Sequence, residues 1–421
     1  MALSFYAPST STATTVTVSL NPNGITEIPA IKEDDFLAVY INVSGKVGSF
    51  TVEQLPLYPG FILGDGVDDF AVTEKELNFE DTYTVYTAFI PFQNNPTRNM
   101  ILCGANSKKT FSMQYPSLVY VTFIAGNNYY INADFVNGLN LFACKRNGNN
   151  ICIKNLLTNK VVTGTCGDWV ENAGLYYLWK NATYSSFAKA AIAGQTICNG
   201  YFSTDEDDEK VLNWYKKQYP WLFPDQAWTV TGKTNEDEDR ATIANITGNG
   251  NNLVLSNFGF AEGSGYNEEG EYAGYLVTDG VDDKIVSSSF GMGKDFTIVG
   301  DWKFIDNNQR GTGLVKGSSF YIYNTMIGLD LYINSGSVKH SLDGIKSINA
   351  ACSDGRAYDR NWNEILANTG NVVASGGPLE VSSSGGRFDR IAFKNFAIYP
   401  RILSKDDCIK AYNYLQTLKA K

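Results

Sequence analysis

Residues 61–72 read FILGDGVDDFAV, and residues 275–286 read YLVTDGVDDKIV. The letters DGVDD are common to both stretches, and an apolar run precedes and follows each of them. A longer β-rich run comes next in both cases, YTVYTAFIPF at 83–92 and FTIVGDWKFI at 296–305. Because the same patterns recur in the same order, the sequence predicts two copies of one domain.

Each copy has the pattern of short β-strands joined by tight turns. Asp-Gly favours a turn, because glycine adopts positive φ freely and aspartate bonds back to the backbone. Strand-like runs follow, such as ICIKNLL at 151–157 and IGLDLYIN at 327–334, and Gly, Asn and Ser separate them. Strands at this spacing are typical of a β-sandwich or jelly roll.

Each copy is predicted to close with a short helix. Thr204 and Ser404 stand at corresponding positions, and each precedes an acidic stretch. A hydroxyl residue with an acid three positions later is typical of a capped helix start, and the helix dipole favours negative charge there. The acidic run 205–209 is open to a second interpretation, a cation site, but we favour the solvated helix start.

Composition and charge restrict the classes of partner. The chain has 421 residues, 43% of them hydrophobic, and is rich in Gly, Tyr and Phe, which favours an all-β globular protein. Its formal net charge is −10 without a basic cluster, so we expect neither nucleic acid nor a membrane among its partners. A single histidine, His340, argues against a His-rich zinc site or a pair of imidazoles in catalysis.

The cellular compartment is predicted from the N-terminus and the cysteines. The first 20 residues lack the basic and apolar regions of a secretory signal, and no apolar run is long enough to span a membrane. The seven cysteines include no CxxC pair. We therefore expect free thiols and folding in a reducing cytoplasm.

The domain boundaries are predicted from composition and turn signals. Residues 1–58 carry three short β-rich runs and form a small N-terminal β attachment module, and residues 59–219 form the first jelly roll. Residues 220–274 contain prolines and tryptophans and are interpreted as a linker and lead-in segment. Residues 275–421 form the second jelly roll.

The second copy resembles the laminin-G-like, concanavalin-A-like jelly-roll family. The stretch RIAFKNFAIYPRILSKDD at 390–407 is similar to the family's penultimate strand and helix start. The matching positions are Tyr399, Arg401, Leu403, Ser404, Asp406 and Asp407. The first copy departs from this pattern, with Phe202-Ser-Thr-Asp-Glu in place of the signature. The resemblance implies two lectin-like β-sandwich domains.

The segment between the copies carries a second resemblance. Residues 228–266, with NITGNGNNL at 245–253 and SNFGF at 256–260, are similar to a stretch of virion proteins from phages of gut Bacteroidales, including crAss-like phages. This resemblance implies a phage virion protein of the head-fibre or decoration type, located on the virion surface and assembled in the bacterial host cytoplasm. It also implies attachment to other virion proteins through residues 1–58 and a homo-oligomer, for which we favour a trimer. A tail-fibre receptor-binding protein remains an alternative.

Catalytic motifs are missing from the sequence. No GxSxG, P-loop or HExxH pattern occurs, and no E-x-D-x-x-E run falls on a credible strand. Retaining glycosidases need two carboxylates roughly 5–5.5 Å apart. We expect no catalytic residues and no enzymatic activity. A polysaccharide depolymerase or glycoside hydrolase of concanavalin-like fold remains the alternative.

The acids of the repeated motif are candidate ligands for calcium, which prefers carboxylate oxygens. An ordinary turn explains the same residues, and we favour the turn, with no metal or other cofactor. The residues concerned are Asp65, Gly66, Asp68 and Asp69 in the first copy and Asp279, Gly280, Asp282 and Asp283 in the second.

Glycans are the expected small partners of such a protein. Sugars stack on exposed aromatic rings, and Tyr and Trp add a polar group to the ring. The candidate carbohydrate-binding residues are Trp169, Tyr176, Tyr177, Trp179, Tyr358 and Trp362. Avidity from several copies on one particle would strengthen modest single-site affinity.

Overall fold

The computed structural model describes residues 58–65, 70–91, 138–168, 172–178, 189–305, 347–366, 376–384 and 387–420, and outside these ranges the strands alone. Strands and helices are numbered separately in chain order. The N-terminal region contains β1 (Ala2–Tyr6), β2 (Ala13–Thr17) and β3 (Ala38–Asn42), which pair in the order β2-β1-β3. The three β-rich runs predicted in this region are residues 14–20, 36–43 and 48–52. The first two overlap β2 and β3, the third lies outside the described residues, and the sequence does not predict β1.

The first half of the chain builds two six-stranded antiparallel sheets. Its strands are β4 (Ile62–Asp65), β5 (Ala71–Val72), β6 (Leu77–Phe79), β7 (Thr82–Pro91), β8 (Asn99–Cys103), β9 (Ser112–Tyr115), β10 (Tyr120–Ala125), β11 (Asn127–Asn132), β12 (Asn140–Asn147), β13 (Asn150–Asn155), β14 (Val161–Thr165), β15 (Asn172–Gly174), β16 (Tyr177–Leu178) and β17 (Lys189–Asn199). The sheet orders are β14-β13-β12-β7-β17-β4 and β11-β10-β9-β8-β16-β5, and β15 pairs separately with β6. Buried side chains including Val85, Phe89 and Phe142 form the core of this half.

The second half builds two eight-stranded antiparallel sheets. Its strands are β18 (Gln226–Thr229), β19 (Thr242–Ile243), β20 (Leu253–Ser256), β21 (Gly265–Asn267), β22 (Tyr275–Val277), β23 (Lys284–Ser287), β24 (Thr297–Phe304), β25 (Gly311–Lys316), β26 (Phe320–Thr325), β27 (Gly328–Ile333), β28 (Lys339–Asp343), β29 (Ala350–Cys352), β30 (Ala357–Tyr358), β31 (Glu364–Leu366), β32 (Leu379–Val381), β33 (Ser383–Ser384), β34 (Arg387–Phe388) and β35 (Ile391–Tyr399). One sheet has the strand order β21-β22-β35-β24-β29-β30-β31, with β18 also paired with β35, and the other has the order β19-β20-β23-β32-β25-β26-β27-β28. β33 pairs separately with β34. Buried side chains including Trp302, Phe393 and Val381 fill the space between these two sheets.

The all-β prediction and the two β-sandwiches are confirmed by this architecture. The linker over residues 220–274 is corrected. β18 pairs with β35, and β20 and β21 pair with β23 and β22, so strands of this segment belong to the second sandwich. Its apolar residues, Trp228 and Leu253 among them, are needed to complete the second core and are buried there.

A helix closes each half, as predicted. Helix α1 (Asp205–Gln218) begins with a capping box: the Thr204 hydroxyl accepts the N–H of Asp207, and the Asp207 carboxylate accepts the N–H of Thr204. Helix α2 (Lys405–Thr417) begins at Ser404, whose hydroxyl accepts the N–H of Asp407. Neither helix is long and apolar enough to cross a bilayer, and the same holds for every helix in the described part of the chain.

The two halves pack against each other through a junction core. Its side chains come from both sandwiches and both helices, and Tyr58 at the start of the first half also belongs to it. The Tyr414 hydroxyl of α2 accepts the N–H of Leu139 at 3.1 Å, and the Tyr399 hydroxyl donates to the carbonyl of Trp221 at 2.9 Å. The junction therefore combines apolar burial with buried polar contacts that fix its geometry.

Candidate binding cleft between the two sandwiches

A cleft of about 260 Å³ opens at the junction of the two halves. This volume is close to the lower end, about 300 Å³, of pockets that hold small ligands. The first half contributes the loop 156–158 after β13 and the end of α1, and the second half contributes the loop 246–249 and residues 400–401 after β35. The site exists only because the two sandwiches meet in this orientation.

The floor of the cleft is apolar and preformed. Leu139, Leu156, Leu222, Ile246 and Tyr414 line it, and all five are buried. Their side chains belong to the junction core, so packing holds them in place. An apolar floor of this kind suits the C–H face of a ring-shaped ligand.

Hydrogen-bonding groups form one wall of the cleft. The Thr247 hydroxyl donates to the carbonyl of Asp225 at 3.2 Å, and the side-chain amide of Asn249 donates to the same carbonyl at 2.5 Å. Asn245 holds the loop 246–249 in place, since its Oδ1 accepts the N–H of Thr247 at 2.9 Å. Gly248 has a φ of +83°, which glycine adopts without strain. The NITGN stretch singled out in the sequence is therefore the frame of this wall.

Two cations and one carboxylate line the same space. Lys216 lies near the end of α1, and Arg401 follows β35. The guanidinium Nη1 of Arg401 donates to the carbonyl of Lys216 at 2.9 Å. This bond satisfies one of the carbonyls in the last turn of α1 that have no partner within the helix. The carboxylate is that of Asp225, whose Oδ2 accepts from the Gln226 amide at 3.1 Å.

Arg401 is only partly satisfied by the protein. Its Nε is buried without a hydrogen-bond partner in the described structure. Burial lowers the pKa of Arg401 below its ordinary value, although a guanidinium remains protonated at neutral pH. A partly desolvated cation at the lining of a cleft favours a ligand that carries hydrogen-bond acceptors.

The acids of the second DGVDD motif form a turn. The Asp279 Oδ1 accepts the N–H of Val281 at 2.8 Å and that of Asp282 at 3.3 Å, and Gly280 adopts a φ of +77°. The buried Asp283 accepts the N–H of Asp279 at 2.8 Å. This is the geometry that the turn interpretation predicts.

The three acids of this turn lie close together: one carboxylate oxygen from each of Asp279, Asp282 and Asp283 is within 4.8 Å of the others. Burial raises the pKa of Asp283 to about 6, while the Asp279 N–H and the Ser264 hydroxyl lower it in part. In the first copy, Gly66, Asp68 and Asp69 lie outside the described residues, as does the side chain of Asp65.

Three of the six aromatic residues predicted to stack on sugars have described side chains, and all three are buried. Tyr176, Tyr358 and Trp362 have exposed fractions of 3%, 1% and 6%, and a sugar ring cannot reach their faces in this conformation. The Trp362 ring packs edge-on against Tyr412 with centroids 5.6 Å apart, and the Tyr176 hydroxyl accepts from the Gln195 amide. Trp169 and Trp179 lie outside the described residues, as does the side chain of Tyr177.

Sequence reasoning missed the junction cleft. In the sequence, Arg401 and Asn249 stand out only within stretches that carry a resemblance, and Lys216 does not stand out at all. These residues come together through contacts between distant parts of the chain, such as the 185-residue separation between Arg401 and Lys216. A local stretch such as 245–249 therefore does not predict which distant side chains complete the site.

Comparisons with known proteins give distant likenesses. No family model and no curated protein matches the chain. Trypanosoma rangeli sialidase in complex with sialic acid is 9% identical with a TM-score of 0.33, covering 73% of this chain and 67% of the other. The binding domain of botulinum neurotoxin DC in complex with SialylT is 10% identical with a TM-score of 0.32, covering 79% and 94%.

Domains LG4-5 of the mouse laminin alpha1 chain are 10% identical with a TM-score of 0.27, covering 86% of this chain and 96% of the other. At these identities and TM-scores the likenesses carry no argument about function. The β-sandwich architecture rests on the strand pairings of the chain itself.

Proposed function

We propose that the chain is a structural protein of a bacteriophage virion that binds glycans, and that the junction cleft is its binding site. The observation that carries the proposal is the composition of the cleft: a buried apolar floor, an amide and hydroxyl wall, and partly desolvated cationic groups in one preformed space. A pyranose ring offers an apolar face and a rim of hydroxyls, which fits this arrangement.

The ionisable lining of the cleft favours binding over hydrolysis. Among the residues that line it in the described structure, Asp225 is the only carboxylate. Glycoside hydrolysis by the common mechanisms needs two carboxyl groups roughly 5–9.5 Å apart. We therefore propose a binding protein without glycosidase activity.

The virion context is supported by the resemblance of residues 228–266 to phage virion proteins. Part of that segment, residues 245–249, frames the cleft wall, so the same stretch carries both the resemblance and the site. The six cysteines within the described residues are free thiols, which agrees with assembly in a reducing host cytoplasm. On this proposal residues 1–58 attach a homo-oligomer, for which we favour a trimer, to the particle, and the sandwiches project from its surface.

The binding proposal is tested by screening the full chain on an array of bacterial and host oligosaccharides. Thr158→Trp places an indole at the mouth of the cleft from an exposed position, and Thr165→Trp on β14 is the matched control outside it. We expect the wild type and Thr165→Trp to bind the same glycans and Thr158→Trp to lose at least tenfold in affinity. Equal binding by both variants, or no binding by any of the three, would overturn the proposal.

The virion proposal is tested by immunogold electron microscopy of purified phage with antibody against residues 275–421. We expect label on the particle surface. Label on the capsid identifies a head fibre or decoration protein, and label on the tail identifies a receptor-binding tail fibre. Particles that contain the chain in none of these positions contradict the virion role.

A further inference from the structure

We propose that the ligand of the junction cleft is an acidic saccharide, whose anionic group is held by Arg401 and Lys216. This inference rests on the proposed function and adds the chemical class of the sugar. The net charge of the cleft lining is opposite in sign to that of the whole chain. The chain carries a net charge of −10, whereas two cations and one carboxylate line the cleft, leaving it with a net positive charge.

Several other buried or partly buried cations of the molecule are paired with a carboxylate, unlike the two cations of the cleft. Lys145 contacts Asp208 at 2.8 Å, Arg356 contacts Asp354 at 2.7 Å, and Arg360 contacts Asp301 at 3.1 Å. Within the described ranges neither Arg401 nor Lys216 has a carboxylate within ion-pair distance. A partly buried cation without a counter-ion is costly, and an anionic ligand would offset that cost.

The guanidinium of Arg401 is held in place before any ligand arrives. Its bond to the Lys216 carbonyl attaches it to the end of α1, and Leu403, two residues further on, is buried in the junction core. The same bond keeps the backbone of Lys216 beside it. Because little side-chain entropy remains to be lost, binding of an anion here is favoured by preorganisation.

The surroundings distinguish an acidic saccharide from a small inorganic anion. A small inorganic anion has no apolar surface to bury against the floor formed by Leu139, Leu222 and Ile246. Asn249 and Thr247 also line the cleft, and their amide and hydroxyl groups suit the hydroxyls of a sugar. Carboxylate sugars and sulfated sugars share the required charge, so the test includes both.

The experiment is isothermal titration of the full chain with an oligouronate, the same oligosaccharide after reduction of its carboxyl groups, and a sulfated oligosaccharide of similar length. We expect the oligouronate to bind at least tenfold more tightly than its carboxyl-reduced form, with affinity falling as salt is raised. Tight binding of the sulfated sugar alone would assign the site to sulfated sugars and overturn the expectation that it binds carboxylate sugars. Equal affinity for the charged and reduced sugars overturns the inference and leaves the proposed function standing. Binding of none of the three sugars also overturns the inference, whereas the proposed function is overturned only if no glycan of the array binds.

Variants assign the selectivity to the cleft. Lys216→Met and Arg401→Gln are each expected to lower the affinity for the oligouronate about tenfold while leaving that for the reduced sugar within about twofold. Lys217→Met, one residue away on the exposed face of α1 and outside the lining, is the matched control and is expected to bind like the wild type. If Arg401→Gln lowers the melting temperature, Lys216→Met still decides the question. Full selectivity in both variants would contradict the assignment.

Discussion

Replacing Asp208 by Asn removes the charge at the centre of a buried polar cluster that attaches α1 to the first sandwich. One carboxylate oxygen of Asp208 lies 2.8 Å from Lys145 Nζ and 3.2 Å from Lys154 Nζ. The other accepts the Tyr86 hydroxyl at 2.9 Å and the Ser203 hydroxyl at 3.1 Å. The side chains of Asp208 and Lys145 are 2% and 5% exposed, so water cannot replace the lost partner.

The magnitude follows from the burial of Lys145. Removing one member of a buried ion pair leaves the other charge unpaired and costs about 3–5 kcal/mol. For a folding unit of about 150–250 residues each kcal/mol lowers the melting temperature by about 2–4 °C. We therefore expect Asp208→Asn to lower the melting temperature of the first sandwich by roughly 6–20 °C.

Differential scanning calorimetry of the full chain measures this effect, and Asp205→Asn is the matched control. Asp205 contacts the same Lys154 at 2.6 Å, but its side chain is 90% exposed. An exposed ion pair contributes about 0–1 kcal/mol, so the control is expected to stay within a few degrees of the wild type. Equal shifts of the melting temperature in the two variants would show that burial does not determine how much these ion pairs stabilise the protein, and would refute the reasoning.

Three further predictions concern the junction and the acidic turn. Tyr414→Phe leaves the buried N–H of Leu139 without its acceptor, so we expect the free energy of unfolding to fall by about 1–3 kcal/mol. Urea titration measures this, and an unchanged unfolding midpoint would contradict the 3.1 Å contact. The pKa of Asp283, beside Asp279 and Asp282, is raised from 3.8 to about 6, so the folded state favours its protonated form. The free energy of unfolding of the wild type should therefore fall, relative to that of Asp283→Asn, as the pH rises from about 4 to about 6, and parallel curves of unfolding free energy against pH would contradict this. The turn interpretation of the same acids predicts no change in melting temperature on adding 1 mM calcium (roughly the affinity range of weak extracellular sites), and a rise of several degrees would establish a calcium site instead.

Strands and helix starts could be predicted from the sequence because their signals are local. The run 296–305 and the strand Thr297–Phe304 nearly coincide, and Thr204 and Ser404 cap the two helices as expected. The Asp-Gly turn of the second copy likewise depends on neighbouring backbone groups.

Features that depend on distant contacts could not be predicted in this way. The short strand Gln226–Thr229 follows two prolines and looks like a linker, yet pairing with Ile398 and its neighbours makes it part of a sheet. The exposure of Tyr358 and Trp362 was misjudged for the same reason, since α2 covers them with Tyr412 and its neighbours. The cleft itself depends on how the two halves pack.

Hydrogen–deuterium exchange with and without the best-binding oligosaccharide of the array is the most direct test of the junction cleft. We predict that the ligand slows exchange in the peptides covering 156–158 and 246–249, which line the cleft from the two halves of the chain. Peptides containing Trp169 or Tyr358 should be unaffected. Protection confined to those peptides, with none at the junction, would contradict the central claim that the cleft between the sandwiches is the glycan site.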